Sequence, residues 1–169
     1  MSAETALVVI AEIGAGFTGF VALVSVFFGR EERLKDADRL HFRGLMALSV
    51  TTTLVALGPL VLATTGLVGP ALWRVSSIVT LVSLLFGARF QRRAEKAADP
   101  SWARTVGPER WISWSLVIAT MVVSFANATG VAWTPFSGAF VVSTYALLAA
   151  AAAQFVALVV QRLIRQPRP

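Results

Sequence analysis

The sequence predicts an all-α, polytopic integral membrane bundle of five transmembrane helices, organised as a single membrane domain over residues 1–169. The first observation behind that reading is composition. Apolar residues make up 56% of the chain and charged residues 14%, whereas soluble domains carry roughly 45–50% and 25%. Mean hydropathy is +0.72. The 15 basic and 9 acidic residues are too few to wet the surface of an 18.1 kDa globule, and so much apolar side chain is incompatible with disorder. The second observation is segmentation: the apolar residues fall into five runs that match the ~20 residues a helix needs to cross ~30 Å of hydrocarbon. The third is that the basic residues gather in alternate connections between those runs.

The first run, residues 5–28, holds one charge, Glu12. No basic segment precedes it, it is longer than the apolar core of a cleavable signal, and the basic cluster follows it. It therefore reads as an anchor with its N-terminus outside. The second run, 45–67, is uncharged and contains Gly58-Pro59. Pro59 has no N–H, so it should kink the helix or free a carbonyl. Thr51, Thr52 and Thr53 in the same run can bond back to their own helix rather than line a pore. The third run, 71–88, carries one charge, Arg74, and is entered through Pro70, which suits a first helical position. The fourth, 111–131, and the fifth, 134–160, are uncharged, and the fifth is long enough to tilt. Tyr145 and Gln154 are its weaker polar candidates. Gly and Pro in the stretches 66–70 and 130–135 mark tight turns.

Topology follows from the basic residues. Arg30, Arg33, Lys35, Arg39 and Arg43 follow the first run; Arg89, Arg92, Arg93, Lys96, Arg104 and Arg110 follow the third; Arg162, Arg165 and Arg168 form the tail. Arg74 is the one exception. This places the N-terminus outside and the C-terminus in the cytoplasm, as expected of a multi-pass plasma-membrane protein; the overall look of the sequence is that of a small bacterial membrane protein. The net charge of +6 then reads as a topology signal with anionic lipid on the cytoplasmic face as its partner, not as a nucleic-acid footprint. Arg89, Arg92, Arg93 and Lys96 are the expected headgroup contacts. Trp73 and Trp133 fall at the outer boundary, and Trp111 and Trp114 at the inner one, with Trp102 in the inner connection. Residues 30–43 read as a short amphipathic helix or as a helical extension of the first span. His41 there is a surface residue or, in the sharper reading, a pH sensor.

Much chemistry is excluded. With no Cys and one His there is no disulfide framework, thiolate nucleophile, Cys-based metal site or multi-His site within one chain. No phosphate-binding glycine loop, HExxH, nucleophile elbow, potassium-filter motif or arginine ladder is present. The chain is expected not to be an enzyme and to need no cofactor.

The polar residues inside the runs carry the functional expectation, because ionisable groups in a span face protein or water. At about 1.5 Å per residue, Glu12 and Pro59 lie ~10 Å, and Arg74 and Asn127 ~6 Å, below the outer boundary. The simplest arrangement is a Glu12–Arg74 ion pair with Asn127 beside it, serving either as a clamp between the first and third helices or as a polar constriction on a pathway. In the first run Ala11, Ala15 and Gly19 form a small-residue row, Gly14 and Thr18 a second, and Glu12, Gly16 and Gly19 a third. Such rows suit helix packing within or between subunits. The turns at Thr65-Gly66 and Thr129-Gly130, with Gln91-Arg92 and Gln161-Arg162, resemble a weak parallel repeat of two helical hairpins, a match that turn chemistry alone also produces. Five spans enclose little interior, so a homo-oligomer is expected. The leading functional expectation is a small oligomeric channel or permeation protein for ions or small solutes with Glu12 at the path. The alternative is a non-transporting scaffold or accessory subunit that binds a protein partner through its basic connections. An intramembrane enzyme, built from one Glu, hydroxyls and a loop His, stands third.

Overall fold

The computed structural model describes residues 2–28, 36–97, 109–131 and 136–165. They form five helices: α1 (Ala3–Phe28), α2 (Asp36–Ala63), α3 (Gly69–Ala97), α4 (Glu109–Thr129) and α5 (Phe136–Arg165). Each contains a stretch long and apolar enough to cross a membrane: Ala3–Leu23, Phe42–Ala63, Gly69–Arg93, Arg110–Thr129 and Ser137–Val160. This is the pattern of a multi-pass membrane protein.

Several helices outrun their apolar runs. α2 begins at Asp36 and α3 continues to Ala97. Hydropathy marks where hydrocarbon ends, whereas Ala, Arg, Leu, Glu and Lys beyond it remain good helix formers. The expected extension in the first connection is accordingly corrected: residues 36–43 lengthen the second helix, not the first. Residues 30–35 lie outside the described residues, as do Trp102, Arg104, Trp133 and the tail beyond Arg165. His41 belongs to α2, but its side chain is outside the described set.

α5 forms the centre of the bundle. It packs against α1, α2, α3 and α4, while α1 lies on α2 and α5, and α3 bridges α2 and α4. Ser77 meets Asn127 and Glu95 meets Arg110; Thr120 meets Ser143 and Ser113 meets Ala150. As one number rises its partner's falls, so α3–α4 and α4–α5 are antiparallel. One core cluster draws on every helix, through Leu7, Ala56, Leu84, Val117 and Phe140 among others. A second joins α1, α2 and α5 through Val21, Leu45 and Leu158.

The surface is inverted relative to a water-soluble bundle. Large apolar side chains such as Leu54, Phe86, Val122 and Val142 point outward, while Ser49, Thr52, Ser77, Thr80, Thr120 and Thr144 are buried. Lipid is an adequate solvent for the former, and small hydroxyl residues let helix backbones approach closely. Basic side chains of α2, α3 and α4 share one end: Arg43 Cζ lies 4.1 Å from the Phe90 ring centroid, Arg92 Cζ 5.9 Å from that of Trp114, and Arg110 bonds Glu95. The glycine turns occupy the opposite end.

Candidate functional site

α4 builds the most polar surface inside the bundle. Ser113, Val117, Thr120, Ser124 and Asn127 follow one another at spacings of four and three, which holds them on one face, and all are buried. Ser113 Oγ donates to the Ala150 carbonyl at 3.4 Å, and Thr120 Oγ1 contacts the Leu116 and Ser143 carbonyls at 2.9 and 3.1 Å. On the facing helices Ser76, Ser77, Thr80, Ser143 and Thr144 donate to carbonyls three or four residues earlier. Most of these hydroxyls are therefore satisfied by backbone, as buried polar groups must be.

Asn127 closes the seam near the turn end. It is fully buried, and its Nδ2 donates to Ser77 Oγ at 2.7 Å. Ser77 gives its own hydrogen to the Trp73 carbonyl at 2.8 Å, so it can only accept from the amide, which fixes which way the amide points. Among the described residues Asn127 Oδ1 and Ser124 Oγ find no partner.

The same corner accounts for Arg74. α4 ends in a Schellman motif: the Gly130 N–H points to the Asn127 carbonyl at 3.4 Å and the Val131 N–H donates to that of Ala126 at 3.0 Å. Gly130 sits at φ +80°, and a Cβ there would stand 2.7 Å from Arg74 Nη2. The backbone conformation favours glycine, and a side chain there would displace the Arg74 guanidinium. The guanidinium lies across the negative end of α4, where a cation is favoured.

Within the chain the expected Glu12–Arg74 pair does not form. Glu12 is exposed on α1, which packs on α2 and α5, while Arg74 is committed to the α3–α4 corner. Equal depth in the bilayer is not proximity around the bundle. Nor does Pro59 join them: it is buried in α2, which continues through it as a helix to Ala63. The small-residue rows divide the same way. Ala11 and Gly14 are buried, and a Cβ on Gly14 would meet Thr53 Oγ1 at 2.7 Å and the Ser49 carbonyl at 3.4 Å, so this row seats α1 on α2. Thr18, half-buried, donates to the Gly14 carbonyl. Ala15, Gly16 and Gly19 face outward with Glu12. Between residues 3 and 23 of the span, Glu12 lies roughly 14 and 16 Å from the ends at 1.5 Å per residue, near the middle of the apolar stretch.

Comparison with protein-family models, curated proteins and solved structures finds no match. The geometry alone has to carry the reading. Among the described residues no cluster of His, Asp and Glu could hold a metal.

Of the remaining expectations, Thr52 and Thr53 do bond back to α2, at the Leu48 and Ser49 carbonyls. Tyr145 is exposed, and Gln154 Oε1, buried beside Gly44, has no partner among the described residues. Trp73 packs on Phe140 and Trp111 is exposed. What sequence reasoning missed is the seam itself. The repeating spacing of Ser, Thr and Asn in an apolar run was its available signal.

Proposed function

We propose that this chain works as a small oligomeric permeation protein for ions or small solutes, in which copies meet along the outward face of α1 and the Glu12 carboxyls line the shared path. The basic end then faces the cytoplasm. The observation that carries the reading is the position of Glu12: near the middle of a span, turned away from its own bundle, with Ala15, Gly16 and Gly19 beside it. A carboxylate in contact with acyl chains is expensive, and intramembrane carboxyls face protein or water. Small neighbours allow another helix to approach or leave room for water.

Flux across proteoliposomes tests it, comparing wild type with Glu12→Gln at matched reconstitution and matched elution. The expected result is ion flux that Glu12→Gln changes in rate or selectivity. Flux no higher than that of empty liposomes, across cations, anions and protons, defeats the reading. A second reading, a non-transporting accessory subunit whose α1 face receives another membrane protein, draws its support from the interior of the single bundle, where hydroxyls are tied to carbonyls instead of lining an open path.

A further inference from the structure

The basic end carries an arrangement that permeation at α1 does not use. Val82, Leu85, Phe86, Arg89, Arg93 and Lys96 of α3 are all exposed. Their spacings of three and four put them on one stripe of the helix. The stripe is apolar through Phe86 and cationic from Arg89 onward. Arg89 and Arg93 are one turn apart, about 6 Å along the axis. That is close enough for both guanidinium forks to reach a single phosphate, and the planar fork suits that geometry.

The neighbouring charges make the stripe selective. Glu95 is the one acidic residue between positions 89 and 97, and it is turned away to Arg110 of α4, 2.8 Å distant. Arg92, the other cation of this turn, has its guanidinium 5.9 Å from the Trp114 ring centroid. Among the described residues the exposed row therefore has no acidic partner, and it lies directly beyond an apolar strip that matches an acyl chain. Free phosphate would use only the cationic half; a lipid uses both.

We propose that this stripe of α3 binds one acidic phospholipid per chain, with Arg89 and Arg93 on its phosphate, Lys96 toward the headgroup, and Val82, Leu85 and Phe86 along an acyl chain. The test uses the full chain, delipidated in detergent and titrated with phosphatidylglycerol or phosphatidylcholine, with bound lipid counted by native mass spectrometry. One phosphatidylglycerol should bind per chain, more tightly than phosphatidylcholine. Replacing both cations in R89Q/R93Q should weaken it roughly 30-fold. Phe86→Ala should weaken it about threefold. R165Q/R168Q removes the same charge from the tail and should leave binding unchanged. If the double variant does not elute as wild type, Arg93→Gln and Phe86→Ala singly carry the test. Equal binding of the two lipids, an equal loss in the tail variant, unchanged affinity in R89Q/R93Q, or soluble glycerophosphoglycerol competing as well as the intact lipid would each overturn the assignment.

Discussion

The inward face of α4 and the outward face of α1 both place polar groups in apolar helices, and they solve the problem in opposite ways. Along α4, Ser113 and Thr120 contact carbonyls of α5, and Asn127 bonds Ser77 of α3. A hydroxyl or amide is neutral and finds an acceptor or donor on an adjacent backbone, so a single chain can bury it. Glu12 on α1 has no such solution. An ionised carboxylate only accepts hydrogen bonds, and the N–H groups of a helix interior are already used by the helix. Its exposure on α1 is what an unsolvable group looks like from within one chain, whereas the α4 face meets most of its hydrogen-bonding needs inside the chain, Ser124 Oγ and Asn127 Oδ1 excepted. The contrast teaches where to look for function: in the polar group the fold leaves outside, not in those it encloses.

The strongest way to break this comparison is to exchange the two chemistries. Asn127→Asp puts a charge at a fully buried position, beside a Ser77 that has already given its hydrogen to Trp73. Turning the Ser77 hydroxyl toward the new carboxylate would abandon the Trp73 carbonyl. An uncompensated buried charge costs about 3–5 kcal/mol, which thermal or SDS unfolding in detergent would register as a large loss. Glu12→Gln removes a charge from the exposed face and should leave the unfolding of the isolated chain nearly unchanged. Comparable losses in the two variants would mean that the two faces do not differ as described.

A second pair sharpens the division within α1 itself. Gly14→Leu drives a side chain into Thr53 and the Ser49 backbone. Overpacking of this kind costs typically 1–3 kcal/mol, and the loss should appear in unfolding of the isolated chain. Gly16 has nothing within 4 Å of where its Cβ would stand. Gly16→Leu should therefore leave chain stability alone and act on assembly, read as a fall in oligomer mass by light scattering. A Gly16→Leu protein of unchanged mass would remove α1 from the contact between copies.

Five helices were legible in the sequence because apolar length and flanking charge are one-dimensional signals. The turns were legible for a similar reason: Gly66 and Gly130, at φ +86° and +80°, need a backbone conformation that glycine favours. The site was legible only in part. Depth along each helix can be read by counting residues, and counting puts Arg74 and Asn127 at one level; in the structure Asn127 bonds Ser77 and Arg74 lies beside Gly130. Azimuth cannot be read that way, because it depends on which helices become neighbours. Glu12 was therefore assigned to Arg74 although α1 packs on α2 and α5. The rows of small residues had the same ambiguity. Gly14 and Gly16 are chemically identical, and only the position of α2 decides that one is packed and the other open.

The smallest effect expected concerns charge rather than burial. Arg110 and Glu95 form a bond of 2.8 Å that joins α4 to the far end of α3, but the arginine side chain is 35% exposed. A pair in that setting exchanges hydration for a contact of nearly equal value, and exposed pairs contribute about 0.2–1 kcal/mol. A double-mutant cycle with Arg110→Gln and Glu95→Gln should return a coupling in that range, shrinking as salt is raised. A coupling as large as the loss from Asn127→Asp would make ion pairing at the basic end, and not the enclosed seam, the dominant polar contribution to the bundle. The low value is expected because water still reaches this pair, and it does not reach Asn127.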